Sequence, residues 1–172
     1  LLLDKTGTIT LGNRKATEFR PVANFAAAEL GRLAALASAA DETPEGKSIV
    51  DLYRRLHGGE NAIPPAGSKF VSFTAQTRMS GIDLPDGVSI RKGAVDAVLK
   101  QLNQNGGVVP ELIREQVNVI AKQGATPLLV CEGNQLVGIV VLEDILKPGI
   151  RERFERLRKM GVEFTEGHGA AN

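Results

Sequence analysis

Apolar residues in this chain switch between a period of two and a period near 3.6, and the switches mark its elements. Leu1-Leu2-Leu3 is an apolar run short enough for a buried strand, and Ile9 to Phe19 continues extended, with no proline before Pro21. Leu30, Leu33, Ala34 and Ala37 then recur at helical spacing, with Asn24 as candidate cap. Thr43-Pro44 opens a second helix, hydroxyl at the cap and proline at the first helical position, with a buried stripe of Ile49, Leu52, Tyr53 and Leu56. Gly and Pro make His57 to Ser68 a loop. Strands are predicted at Phe70 to Phe73, Met79 to Leu84 and Val88 to Arg91, the last two joined through Asp86-Gly87 as a type I′ hairpin. Val95, Val98, Leu99 and Leu102 mark a helix ended by Gly106-Gly107, and Ile113, Val117, Ile120 and Ala121 another, closed by Gly124. Leu128 to Glu132 and Leu136 to Leu142 flank Gly133-Asn134, a second hairpin. Pro148 opens a final helix carrying Ile150, Phe154 and Leu157, and Gly161 ends it.

Strand pairs joined by tight turns, with helices between them, predict an α+β fold: an antiparallel sheet flanked by helices. The ends of the chain read as edges of a second domain into which the central one is inserted. The expected divisions are residues 1–19, 20–141, 142–162 and a tail, 163–172.

Composition narrows this little. The 172 residues are 42% hydrophobic and 24% charged with a net charge of +1, so nothing calls for a nucleic-acid partner. Leu136 to Leu142, the longest apolar run, is far below the ~18 residues that span a bilayer. The single cysteine, Cys131, lies in an apolar run and reads as a buried, reduced thiol. His57 and His168 are too far apart to suggest a metal site and read as surface residues.

The chemistry concentrates in Asp4-Lys5-Thr6-Gly7-Thr8-Ile9. Gly7 allows a tight turn after the leucine strand, which delivers Asp4 to the mouth of a sheet, where α/β folds place reacting groups. A carboxylate beside a lysine and hydroxyl donors is a candidate nucleophile for phosphoryl groups. It needs a cation to hold the phosphate, which Lys5 can supply, and a metal to neutralise developing charge. Asp4 to Thr10 match the phosphorylation motif of P-type ATPases, and the chain resembles that family. The resemblance implies a nucleotide-binding domain inserted into a phosphorylation domain of the haloacid-dehalogenase type. It also implies that Asp4 attacks the γ-phosphorus of ATP, with Lys5 and Thr6 beside it and Mg²⁺ at Asp4 and Thr6. Haloacid-dehalogenase phosphatases keep a second aspartate two residues after the nucleophile; here that position is Thr6, which suits a long-lived acyl phosphate.

Asp41-Glu42-Thr43-Pro44-Glu45-Gly46, Phe73 to Gly81, Ile90 to Gly93 and Gln123 to Leu128 are similar to the catalytic subunits of bacterial potassium-transporting Kdp pumps. The similarity runs to about Val162, beyond which the tail departs and is expected to be disordered. For a chain with this motif and no membrane segment, the resemblance implies a piece of a pump. That piece would be a cytoplasmic part of a bacterial plasma-membrane protein, partnered in its parent complex by the other Kdp subunits.

The resemblance also implies an ATP pocket. Phe73 would stack on adenine, worth roughly 1–3 kcal/mol, although by position it would equally serve as a core residue at a strand end. Lys92 would add a cation–π or phosphate contact. Thr74, Ala75, Gln76, Thr77, Arg78, Met79 and Ser80 would line the pocket. Gly93 would let backbone approach the ligand or start the following helix. Asp41 and Glu45 match positions associated with nucleotide contact, though an acid in a first helical turn, as Glu45 is, also complements the helix dipole. Asp144 falls at the expected return hinge or is a turn residue before Pro148. The chain alone is expected to bind ATP with little or no turnover. Two rival readings are a free-standing haloacid-dehalogenase phosphatase, which would hydrolyse small phosphate esters, and a non-catalytic nucleotide-binding remnant.

Overall fold

The computed structural model describes residues 9–22 and 24–161. Asp4, Lys5, Thr6 and the tail with His168 lie outside them. The elements run β1 (Thr10–Pro21), α1 (Ala27–Ala37), α2 (Pro44–Leu56), β2 (Lys69–Val71), β3 (Met79–Asp83), β4 (Ser89–Ala94), α3 (Val95–Gln104), α4 (Ile113–Lys122), β5 (Thr126–Glu132), β6 (Gln135–Leu146) and α5 (Ile150–Lys159). They build a six-stranded sheet in the order β1-β6-β5-β4-β3-β2, in which β2–β3, β3–β4, β4–β5 and β5–β6 pair antiparallel. Flanked by helices, this is the α+β class that the sequence pattern predicts.

The chain divides into two compact units, Lys15–Glu143 and Leu1–Arg14 with Asp144–Asn172, so both boundaries fall inside strands, β1 and β6. In the larger unit the sheet separates two apolar cores. Alternation of side chains along a strand explains the division. Ile82, Ile90, Val130 and Val140 point to the side covered by α1 and α2, where Leu30, Leu33, Ile49 and Leu52 are buried. Leu129, Cys131, Ile139 and Val141 point to the other side, against Val98, Leu102, Ile113 and Ile120. Burial there pushes the Cys131 thiol up to about 11, against a smaller opposing pull from Arg91. Helices α3 and α4 end alike: the amide of Gly107 donates to Leu102 O and that of Ala125 to Ile120 O, after left-handed Gly106 and Gly124.

In the smaller unit, Lys147 N donates to Ile9 O at 2.9 Å and Arg14 pairs with Asp144 at 3.7 Å. Helix α5 buries no residue, while Ile150, Phe154 and Leu157 are half-buried. No helix among the described residues is long and apolar enough to cross a membrane.

Four local expectations need correction. Asn24 does not cap α1: the amide of Phe25 turns back onto Val22 O, and the helix starts after Ala26, which makes no side-chain cap bond. The strand expected at Phe70 to Phe73 runs Lys69–Val71 and stops, because Thr74 engages Thr77 in a local turn and draws Phe73 out of the ladder. Asp86-Gly87 is not a two-residue I′ turn; the ladder ends at Asp83 and Ser89, only Gly87 is left-handed, and Asp86 Oδ1 instead accepts from Val88 N. Helix α5 begins at Ile150 behind a left-handed Gly149, two residues after Pro148. By contrast, Gly133-Asn134 is the two-residue hairpin expected, with glycine at the first position, as type II′ turns use it. His57 is half-buried, stacked on Tyr53 with ring centroids 4.3 Å apart.

Gly138 is where β6 meets its neighbours most closely. A Cβ there would lie 2.5 Å from Arg20 O and 2.6 Å from Leu30 Cδ2. Gly138→Ala is therefore expected to destabilise the fold by about 2 kcal/mol. Urea unfolding checks this: the midpoint falls with the slope unchanged.

Candidate functional site

The site grows from the corner between α1 and α2. The chain leaves α1 through Ser38, whose carbonyl accepts from Asp41 N at 3.0 Å, so the corner closes before α2 begins. Asp41 then caps the cap. Its Oδ1 accepts from Thr43 N at 3.0 Å and from Thr43 Oγ1 at 2.6 Å, while the same hydroxyl accepts from Gly46 N at 3.0 Å. The other oxygen, Oδ2, accepts from Lys92 Nζ. Both partners of this ion pair are removed from water, with side-chain exposures of 5% for Lys92 and 12% for Asp41.

Two residues make the pair sterically feasible. Lys92 sits opposite Ser80 on β3 and Val130 on β5, on the face that α1 and α2 cover, so its side chain runs under the corner. Gly46 removes the obstacle: a Cβ there would come within 2.6 Å of Asp41 Cβ and 2.7 Å of Oδ2. Burial pushes the Asp41 carboxyl up, but the hydrogen bonds from Lys92 and Thr43 and the lysine charge together outweigh it, holding the carboxyl below its usual value.

The second half of the site lies at the start of β3 and the end of β4. Ser80 is buried opposite Lys92, and Met79 sits opposite Gly93. Gly93 lets the backbones close up, because a Cβ would strike Arg78 O and come within 2.6 Å of Met79 Cγ. That close approach, rather than helix initiation, is what this glycine serves locally; α3 is capped by Ala94. Arg78 is left-handed (φ +51°), a conformation fixed by two bonds: its amide donates to Thr74 O at 2.8 Å and its carbonyl accepts from Ala94 N at 3.1 Å. Its guanidinium pairs with Asp96 at 2.6 Å on the surface. The Thr74 and Thr77 hydroxyls lie 2.8 Å apart and close the loop, leaving Ala75 and Gln76 exposed at its tip and Phe73 59% exposed at its base.

The structure thus joins Asp41, Lys92 and Ser80 in one cluster, and Gly93, Met79, Arg78, Thr74 and Thr77 in an adjoining one. Glu45 stands apart. It is half-buried in the first turn of α2, its carbonyl accepts from Ser48 Oγ at 2.7 Å, and no ion pair joins its carboxylate to Lys92. Asp96 was not foreseen: eighteen residues from Arg78, on another element, it carries no sequence signal of the pairing. Thr43 was foreseen only as a helix cap, yet it is also the link between Gly46 and Asp41. A cleft of about 450 Å³ beside α3, lined in part by Leu99, Asn103 and Arg114, shares only Asp96 with this arrangement. Among the described residues, no group of three or more His, Cys, Asp or Glu could hold a metal ion.

A family model of haloacid dehalogenase-like hydrolases matches residues 1–165, and the chain belongs to that family. More particularly, it is 56% identical over 162 residues to the potassium-transporting ATPase ATP-binding subunit of Deinococcus radiodurans, covering 94% of this chain and 24% of the relative. It is 45% identical over 162 residues to the protein of the same name from Bacillus mycoides, covering 94% of this chain and 23% of that one. The chain spans about a quarter of the length of these curated relatives. Among solved structures it is similar to a zinc-transporting PIB-type ATPase, with a TM-score of 0.71, 23% identity and coverage of 94% of this chain and 24% of that one. The N-domain of a copper-transporting P-type ATPase matches with a TM-score of 0.53 and 15% identity, over 76% of this chain and 98% of that domain. These two likenesses show the fold, that of the P-type ATPase nucleotide-binding domain.

Breaking a buried ion pair on one side costs about 3–5 kcal/mol, because the other charge stays buried. Asp41→Asn is expected to lose stability near the lower figure at pH 7. A carboxyl held below its usual value stabilises the fold above the ordinary carboxylate range, and that gain disappears as pH falls through the folded-state value. Stability curves of the two proteins should therefore converge in acid, which urea titrations between neutral pH and the carboxylate range would read.

Proposed function

We propose that this chain is the ATP-binding part of a P-type ATPase of the potassium-transporting class, with a piece of the adjoining phosphorylation domain. The observation that carries the reading is an exposed aromatic ring, Phe73, on a hydrogen-bonded loop that feeds straight into the strand pair holding Ser80, Lys92 and Gly93. An aromatic ring left 59% exposed on an ordered loop adds little to a core and suits a flat ligand with a π-face. Adenine fits, stacked on Phe73 and flanked by Lys92. Thr74 to Met79 shape the rim, Ser80 and Gly93 its floor, and Glu45 offers a carboxylate at the start of α2.

Asp4 has the residue chemistry to accept the γ-phosphoryl group: a carboxylate oxygen bonds to phosphorus as the bond to the ADP oxygen breaks. Lys5 would offset charge there, and Thr6, in place of a second aspartate, leaves the acyl phosphate without a general base. Mg²⁺ would arrive on the nucleotide, since the residues proposed to meet it, Asp4 and Thr6, do not make a complete shell. Potassium as the transported ion and further subunits as partners rest on the names of the curated relatives, and a place on the cytoplasmic side of a plasma membrane rests on the resemblance to membrane pumps.

Titration with MgATP is expected to shift the backbone resonances of Phe73 and Lys92 with little or no phosphate release. Phe73→Ala should weaken binding by about 2 kcal/mol, roughly thirtyfold in Kd. A titration that leaves both resonances unmoved overturns the reading.

A further inference from the structure

We propose that the groove between α3 and the start of α4 is a docking site for an acidic peptide segment of another protein. Its carboxylate is held between Lys100 and Arg114, and a neighbouring apolar side chain rests on Val109 and Pro110. The inference goes beyond the nucleotide reading and does not rest on it. Two adjoining clefts make up the groove. The larger, of about 450 Å³, takes its α3 wall from Asp96, Leu99, Lys100, Asn103 and Gln104, a stripe at helical spacing, and its other wall from Arg114 on α4. The smaller, of about 310 Å³, adds Val109, Pro110 and Glu111 and shares Leu99, Asn103 and Arg114 with the larger. Both volumes lie in the range of ligand sites, about 300–1,000 Å³. Local bonds set the walls. Gly107 N returns to Leu102 O at 2.7 Å, which ends α3, and Ile113 N donates to Pro110 O at 3.1 Å, which opens α4. Buried Leu102 and Ile113 anchor the two helices in the core.

The charges identify the ligand. Asp96 is already matched by Arg78 at 2.6 Å. Lys100 and Arg114 are exposed, and among the described residues neither side chain makes an ion pair or a hydrogen bond. A carboxylate suits two such cations on facing walls: the guanidinium fork can take both oxygens, and the ammonium adds a point charge. Asn103 and Glu111, also without side-chain partners among the described residues, offer the donor and acceptors that a peptide backbone needs. Glu111 lines only the smaller cleft, so it repels a second acid there. That fixes the polarity of the ligand, acid toward Lys100 and apolar side chain toward Val109 and Pro110. The apolar half continues outside the groove, where Val108 is 78% and Leu112 62% exposed. Exposed apolar side chains grouped beside an arginine mark a protein-contact surface. A free inorganic anion would satisfy the cations and leave that apolar half uncovered; a peptide covers both.

The probes are two blocked peptides, Ac-Leu-Glu-Leu-Glu-Leu-NH2 and its glutamine counterpart, titrated into the chain while backbone amide resonances are followed. The acidic peptide is expected to shift Leu99, Asn103 and Arg114, with a Kd of about 1 mM or tighter that weakens as salt rises. The glutamine peptide should bind at least about threefold more weakly. Lys100→Gln and Arg114→Gln, both at exposed positions, should each weaken the acidic peptide about threefold and together about tenfold, leaving the glutamine peptide unchanged. Val109→Ala trims the apolar half alone and should weaken both peptides alike. Equal binding of the two peptides, or affinity unmoved in the double variant, removes the carboxylate clamp. The same shifts from inorganic phosphate or acetate at equal concentration show a general anion site. Shifts at these residues on concentrating the chain alone show that a second copy takes the groove. Each of those results, like the absence of any shift with the acidic peptide, overturns the proposal.

Discussion

The contact between Asp41 and Lys92 fixes more of this molecule than any other single interaction. Two opposite charges shielded from water are tolerable only together, since either alone would keep its full desolvation cost. The pair therefore dictates where the α1–α2 corner sits on the sheet: directly over β4, level with Ser80. Thr43 extends the constraint into the first turn of α2, and Gly46 lets the corner come close enough for the contact to form. An apolar core alone tolerates small slides of a helix over a sheet, because hydrophobic burial has no direction. A hydrogen-bonded ion pair does not.

Around that fixed point the two cores follow from strand alternation. Adjacent residues of β5, Val130 and Cys131, serve opposite faces, and a register shift falls between them. Gly138 on β6 is matched to the same geometry, admitting Leu30 of α1 where any side chain would hold it off. The α1–α2 face carries the one buried ion pair of the described residues, while the α3–α4 face is apolar throughout its core.

What could be read in advance was whatever short-range chemistry decides. The helical stripes of α2, α3 and α4, the Thr43 cap and the Gly133-Asn134 turn are all local and appear, except that Leu56, expected at the end of the buried α2 stripe, is 59% exposed in the last turn. The errors are also instructive. Asn24 is a good cap by composition, but its neighbour Phe25 bonds back to Val22 and delays the helix. Phe70 to Phe73 reads as a strand until the Thr74–Thr77 hydroxyl pair, four residues of ordinary polar sequence, takes Phe73 out of it. For the site, motif resemblance supplied Asp41, Ser80, Lys92 and Gly93 separately. That Asp41 faces Lys92 was not legible, because the two are 51 positions apart, with a helix and two strands between them, and no local rule couples them. The same blindness hid Asp96 as the partner of Arg78.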